Sequence, residues 1–101
     1  MIDLKPIQPS LNTLCRTLAV RWLDLFGSAT TAEFGPASDV DVLVEFDKSV
    51  GKLFDRYLSL REGLESLFHR RVDVVVDGQF RNPYFRESVS KSRVNVYSAH
   101  A

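Results

Sequence analysis

The chain has little of what cross-links or divides a small protein. Its 101 residues include one cysteine, Cys15, so it can form neither an intramolecular disulfide framework nor a zinc site built from several cysteines. Its five glycines and four prolines form no linker that would separate two units. We therefore expect a single domain over residues 1–101, with Cys15 buried in an apolar helix.

An excess of charge of one sign is also missing. Thirteen Lys and Arg residues balance thirteen Asp and Glu residues, so the formal net charge is zero. A neutral chain lacks the basic character of a dedicated nucleic-acid binder, and we expect no nucleic-acid partner. No run of 18 apolar residues occurs, and the first residues contain no apolar stretch of signal-peptide length. We expect no membrane span and a cytoplasmic location.

The hydrophobic pattern predicts helices and strands in alternation, which is typical of an α/β or α+β protein built around a small sheet. The predicted elements are a helix over 9–19, strands over 21–26, 40–46 and 71–77, a long helix that Ser49 caps, a short helix over 82–90 and an edge strand over 94–97.

Apolar residues at helical spacing predict which side of the long helix packs on the sheet. We expect Val42, Val44, Val74 and Val76 of the strands to lie buried beneath it. The predicted apolar stripe of the helix comprises Val50, Leu53, Phe54, Tyr57, Leu58, Arg61, Leu64, Leu67 and Phe68.

The carboxylates at the start of the second strand carry most of the chemical information. Asp39 and Asp41 are two residues apart, so strand geometry sends both side chains to one face, with their Cα atoms roughly 6 to 7 Å apart. Two such carboxylates repel each other unless a cation lies between them, and carboxylate oxygens suit Mg²⁺. Asp73 repeats the pattern on the third strand and completes a three-carboxylate site if the two strands are neighbours.

A glycine–serine pair follows the first predicted strand. Gly27 permits a close backbone approach, a helical turn that starts here offers N–H groups to phosphate oxygens, and Ser28 adds a hydroxyl donor. Alone, an Asp-x-Asp on a strand usually belongs to a solvated sheet face, and a Gly-Ser pair to a turn. Together they are the equipment for group transfer from a nucleoside triphosphate.

Nearly the whole chain resembles a known family. The chain has Gly-Ser at 27–28, then ten residues, then Asp-Val-Asp at 39–41. This pattern resembles the signature of the polymerase-β-like nucleotidyltransferase superfamily. The segments 71–75 and 82–97 are similar to the corresponding parts of the minimal nucleotidyltransferases. The resemblance implies a small mixed β-sheet with helices packed on one face, the polymerase-β-like nucleotidyltransferase fold.

The resemblance also implies an activity and site residues. Asp39 and Asp41 would bind Mg²⁺ or Mn²⁺, and Asp73 would be the third acid, either as a metal ligand or as the general base. The substrate would be ATP or another nucleoside triphosphate. Gly27 and Ser28 would bind the triphosphate. Minimal nucleotidyltransferases are commonly paired with a HEPN-domain ribonuclease toxin, and as antitoxins they add AMP to a tyrosine of it. We therefore expect a HEPN partner and a homo- or hetero-oligomer that shares the acceptor site.

One departure keeps an alternative open. The loop of related proteins usually carries an arginine and a glycine where this chain has Thr31 and Ala32, and residues 27–38 contain no Lys or Arg. Phosphate binding normally recruits a basic group, so either another residue supplies it, nucleotide binding is weak, or activity is lost. Candidate substitutes are Arg70, Arg71 and Arg81. The alternative is an inactive nucleotidyltransferase-fold antitoxin that neutralises its toxin by contact alone.

Other polar and aromatic residues are assigned structural roles. We expect Trp22 to belong to the core, His69 to cap a helix, and Glu45 and Asp77 to be surface charges flanking the acidic site. Template-directed nucleic-acid synthesis is disfavoured, because the chain is neutral and has no basic, aromatic-rich groove.

Overall fold

A computed structural model of the protein describes residues 3–27, 39–77 and 93–99. The predicted order of elements is confirmed in these ranges, and the ends differ by a residue or two except at the start of the long helix. The predicted helix over 82–90 lies outside the described residues. The elements are α1 (Gln8–Thr17), β1 (Val20–Phe26), β2 (Val40–Phe46), α2 (Leu53–Phe68), β3 (Val72–Val76) and β4 (Val94–Ser98).

The four strands form one mixed sheet in the order β3-β2-β1-β4. β1 is antiparallel to both β2 and β4, and β2 is parallel to β3. Parallel neighbours need a long crossover, and α2 provides it between β2 and β3. The predicted edge position of β4 is confirmed, and β3 forms the other edge of this sheet.

Both helices pack on one face of the sheet, as the resemblance implies. The alternate β2 residues Val40, Val42, Val44 and Phe46 point to that face and are at most 2% exposed. They share one apolar cluster with Cys15. Burial removes the Cys15 thiol from water and raises its pKa to about 12. The predicted buried cysteine is therefore confirmed, and its thiol stays protonated at neutral pH.

The predicted stripe of α2 is only partly correct. Leu64 and Phe68 are buried as expected, but Phe54 is 69% exposed, and Val50, Leu53 and Leu58 are also exposed. The helix is rotated about its axis relative to the prediction. Its buried residues are Arg56, Leu60, Leu64 and Phe68.

Contact between the two helices accounts for this rotation. A Cβ atom on Gly63 would lie 2.7 Å from the methyl carbons of Leu14, so the missing side chain lets α1 approach α2 closely. Val74 and Val76 are half-buried rather than fully buried, because β3 is an edge strand beside the exposed start of α2.

The start of α2 also differs from the prediction. Ser49 does not cap the helix, since its N–H and hydroxyl both donate to Asp47 Oδ1 at 2.9 and 2.6 Å. These hydrogen bonds lower the pKa of Asp47 below its ordinary value. The residue at the N-cap is Lys52, which has a positive φ of 62° and no side-chain cap.

A buried arginine organises this region instead. The Arg56 side chain is almost fully buried, lies 5.1 Å from the centre of the Phe46 ring and donates hydrogen bonds to backbone carbonyls on both sides of it. It therefore ties the turn after α1 to the turn before α2. The accepting carbonyls belong to Leu18, Ala19, Asp47, Val50 and Gly51.

No helix in the described ranges is long and apolar enough to cross a membrane. At the other end of α2, His69 occupies the C-cap position with a positive φ of 55°, so the predicted capping role is confirmed. The left-handed conformation of this residue ends the helix before β3 begins.

Candidate active site

The face of the sheet opposite the helices carries the predicted acids, and we call it the acidic face. Cross-strand partners share a face, so the register defines its members strand by strand. Asp41, Leu43 and Glu45 of β2 lie opposite Phe26, Asp24 and Trp22 of β1, and Asp41 and Leu43 lie opposite Asp73 and Val75 of β3.

Asp41 and Asp73 are direct partners in the parallel register of β2 and β3. Their predicted placement on one face is confirmed. The pKa of Asp41 lies above its ordinary value, first because the half-buried carboxyl loses water, and then because Asp73 and Asp39 add negative charge. A hydrogen bond between the Asp41 and Asp73 side chains raises the pKa of Asp41 further.

Asp39 lies just before β2 and is exposed. The structure therefore brings two of the three predicted carboxyl groups into direct contact, while the third acts on Asp41 through its charge. Within residues 3–27, 39–77 and 93–99, no group of three His, Cys, Asp or Glu side chains is arranged to hold a metal ion.

The two opposed carboxyl groups nevertheless have the chemistry of a divalent cation site. Carboxylate oxygens are the ligands that Mg²⁺ accepts, and a cation between them would remove the repulsion that raises the pKa of Asp41. Asp41 and Asp73 could supply these oxygens, with Asp39 adding negative charge at the same end of β2.

Gly27 lies directly against Asp41. Its φ of 72° is in the left-handed region that favours glycine, and a Cβ atom there would lie 2.8 Å from Asp41 Oδ2. A side chain at this position would press on the carboxylate. Glycine is therefore required for a close approach, as expected, although the group that it approaches is the acid itself. Ser28 lies outside the described residues.

The acidic face also carries a polar cluster that was not predicted from the sequence. Asp24 is 4% exposed, forms an ion pair with Arg93 and accepts a hydrogen bond of 2.7 Å from Asn95 Nδ2. Arg93 also lies 4.6 Å from the centre of the Trp22 ring. Trp22 Nε1 in turn donates to Glu45 Oε2 at 2.7 Å. The signal for this cluster was a single carboxylate between two leucines of β1.

Two structural predictions change as a result. Trp22 is half-buried at the edge of a small apolar cluster that contains Phe26 and Leu43, and is not part of the main core. Glu45 is also half-buried, and serves as the hydrogen-bond acceptor of Trp22 rather than as a free surface charge. Of the candidate basic substitutes, Arg71 is exposed, Arg70 is half-buried, and Arg81 lies outside the described residues.

Curated relatives share most of this chain. A protein adenylyltransferase of Thermococcus cleftensis, MntA, is 33% identical over 86 residues, which cover 81% of this chain and 85% of that protein. A protein of Methanocaldococcus jannaschii that is provisionally named a protein adenylyltransferase is 35% identical over 77 residues, or 76% of this chain and 77% of that protein.

Solved structures share the fold. One that is provisionally described as a minimal nucleotidyltransferase has a TM-score of 0.71 and 29% identity, and the match covers 92% of this chain and 95% of that one. A toxin–antitoxin complex with AMP-PNP has a TM-score of 0.69 and 19% identity, covering 91% and 73%. A Shewanella oneidensis complex of a tri-AMPylated HEPN toxin with its MNT antitoxin has a TM-score of 0.64 and 16% identity, covering 96% and 74%.

Family membership rests on a sequence match over most of the chain. The sequence profile of the nucleotidyltransferase domain matches residues 10–96 and so spans all six elements except the first two residues of α1 and the last two of β4. The chain belongs to the nucleotidyltransferase domain family and is a nucleotidyltransferase of the minimal type.

Proposed function

We propose that this protein transfers AMP from ATP to a hydroxyl group, most simply that of a tyrosine, on a partner HEPN-domain toxin, and that it acts as the antitoxin of that toxin. The observation that carries the proposal is the direct opposition of Asp41 and Asp73 on parallel strands, with Gly27 against the Asp41 carboxylate. Such an acid pair beside a bare backbone suits a cation and a phosphate chain better than it suits folding alone.

The acids and the loop have separate roles in this proposal. Asp41 and Asp73 would hold Mg²⁺ or Mn²⁺, with Asp39 adding negative charge at the same end of β2, and the ion would supply charge stabilisation at the phosphates. Gly27 lets the phosphate chain approach the backbone, and Ser28 contributes a hydroxyl donor. Asp73 is exposed, so it can reach the hydroxyl group of an incoming partner and accept its proton.

The reaction is a substitution at the α-phosphorus. The acceptor oxygen forms a bond to the α-phosphorus. The bond between the α-phosphorus and the oxygen that bridges to the β-phosphate breaks, and pyrophosphate leaves. The proton of the acceptor hydroxyl passes to Asp73. No oxidant or reductant is needed.

Similar proteins support the transfer of AMP and a toxin as the partner. MntA is named a protein adenylyltransferase, and the chain resembles an antitoxin solved with a HEPN toxin that carries three AMP groups. The match to a toxin–antitoxin complex with AMP-PNP is consistent with an adenine nucleotide.

The test is incubation with ATP labelled at the α-phosphate, Mg²⁺ and the HEPN-domain protein proposed as the partner. We expect label on the HEPN protein with the wild type and none with Asp41→Asn. Asp55→Asn, which removes an exposed carboxylate on α2, is the matched control and should transfer normally. ATP labelled at the γ-phosphate should leave no label. Equal labelling by the wild type and Asp41→Asn would contradict the proposal.

A second candidate is neutralisation by contact alone. Two observations favour it: residues 27–38 carry no Lys or Arg, and α2 exposes apolar side chains such as Phe54 and Leu58. If neither the wild type nor Asp41→Asn labels the toxin while both suppress its ribonuclease activity, contact is the mechanism.

A further inference from the structure

We propose that Arg71 binds the triphosphate of the nucleotide and so supplies the basic group that residues 27–38 lack. The inference rests on the proposed nucleotidyl transfer and deepens it, because it names a residue that positions the substrate. Three observations carry it: the backbone position of Arg71, a guanidinium without a partner among the described residues, and the charge of the acids at the same end of the sheet.

The backbone places Arg71 at the acidic end of β2. Its carbonyl oxygen accepts a hydrogen bond of 2.9 Å from the N–H of Val40, so the parallel ladder between β2 and β3 extends one residue before β3. Val40 and Val72 are register partners, and the residues that precede them, Asp39 and Arg71, are therefore neighbours across the two strands.

The alternation of side chains assigns Arg71 to the acidic face. Val72 is 1% exposed in the core on the helix side. Residues before and after it on an extended chain point to the opposite side, so Arg71 shares a face with Asp73. The backbone thus places Arg71 on the face of the three acids and at the same end of two neighbouring strands.

The guanidinium of Arg71 is available for a ligand. It is exposed and makes no hydrogen bond or ion pair with any residue that the structure describes. Other arginines are committed elsewhere: Arg93 is paired with Asp24, Arg56 with backbone carbonyls and Arg61 with Glu65.

Electrostatics explain why a cation is needed at this end. Three carboxylates and a triphosphate carry more negative charge than one divalent cation balances. An arginine presents paired N–H donors that match two phosphate oxygens at once, and such charge-assisted hydrogen bonds are about twice as strong as neutral ones. Arg71 can therefore offset the repulsion that the acids exert on the incoming nucleotide.

The experiment is calorimetric titration of the full chain with Mg²⁺ and AMP-PNP, and separately with adenosine, which has no phosphate. We compare the wild type, Arg71→Gln, Arg71→Lys and the matched control Arg16→Gln, which removes an exposed arginine from the opposite, helical layer. Arg71→Gln should weaken AMP-PNP binding by at least about tenfold, the worth of one hydrogen bond to a charged group, and leave adenosine affinity unchanged.

Arg71→Lys should retain part of the affinity, because it keeps the charge but not the paired donors. Arg16→Gln should behave as the wild type does. Without nucleotide, Arg16→Gln should unfold at the temperature of the wild type and Arg71→Gln only slightly below it, because the Arg71 side chain makes no hydrogen bond or ion pair with a described residue but its charge offsets part of the repulsion among the acids.

Other outcomes overturn the inference. Unchanged AMP-PNP affinity in Arg71→Gln would show that Arg71 does not contact the phosphates, even if the wild type transfers AMP normally. Equal losses for AMP-PNP and adenosine would show a structural effect. A wild type that binds no AMP-PNP would remove this inference together with the proposed function.

Discussion

The carboxyl groups of Asp41 and Asp73 face each other across two parallel strands and share a hydrogen bond, which raises the pKa of Asp41. Nothing in the packing of the core requires this pair, because both side chains lie on the face opposite the helices. Close negative charges on a small sheet cost stability unless a cation joins them.

Asp41→Asn should therefore raise the unfolding temperature at pH 7 when no divalent cation is present. An acid whose folded pKa is raised binds its proton more tightly in the folded state, so it makes stability fall as pH rises from the ordinary pKa through the raised one. The amide carries no proton that pH can remove, so it avoids this loss of stability.

Thermal unfolding with and without Mg²⁺ and ATP measures this effect. Ligands that bind only the folded state should stabilise the wild type, and the gain should disappear in Asp39→Asn/Asp41→Asn. An equal gain in that double variant would place cation and nucleotide binding elsewhere on the protein.

Gly27→Ala should lower both stability and transfer rate. The added methyl would lie 2.8 Å from Asp41 Oδ2, and the positive φ of Gly27 would cost an L-residue about 1–2 kcal/mol. Gly51→Ala is the control, since nothing lies within 4 Å of its Cβ position and its φ is not positive. Chemical denaturation gives the stability, and a Gly27→Ala variant as active as the wild type would contradict the close approach.

The orientation of α2 predicts unequal costs for two apolar substitutions. Leu64→Ala should destabilise by about 2–5 kcal/mol, because Leu64 is fully buried and its removal leaves a cavity. Phe54→Ala should change the free energy of unfolding by about 0.5 kcal/mol or less, since the ring is 69% exposed. Similar losses from the two, measured by urea denaturation, would favour the stripe expected from the sequence.

Arg56→Met should destabilise by about 3 kcal/mol, because methionine fills the space but leaves backbone carbonyls of two turns without a donor. Arg61→Met, which breaks only an exposed pair with Glu65, should cost about 0.5 kcal/mol or less. Urea denaturation of both variants gives the comparison. If Arg56→Met matched Arg61→Met in stability, the carbonyl contacts would contribute little.

Local sequence was sufficient to locate the strands and to assign Asp41 and Asp73 to the face opposite the valines. The bounds of β2 agree with the alternation of its residues, and Asp41 lies on the face opposite Val42 as period-2 geometry requires. The sequence did not predict which side of α2 is buried. Its apolar stripe is wider than the surface that packs on the sheet, so the rotation of the helix about its axis stays undetermined.

The sequence by itself determined the properties that neighbouring residues fix. These are the order of the elements, the valine face of the sheet and the acidic character of the other face. Tertiary structure decided that β2 and β3 are neighbours, which sets Asp73 opposite Asp41, and that Arg56 replaces Ser49 in stabilising the start of α2. The physical reason is separation along the chain. Alternation within a strand follows from backbone geometry, whereas strand pairing, the Gly63–Leu14 approach and the reach of Arg56 to the Leu18 carbonyl depend on residues brought together only by folding.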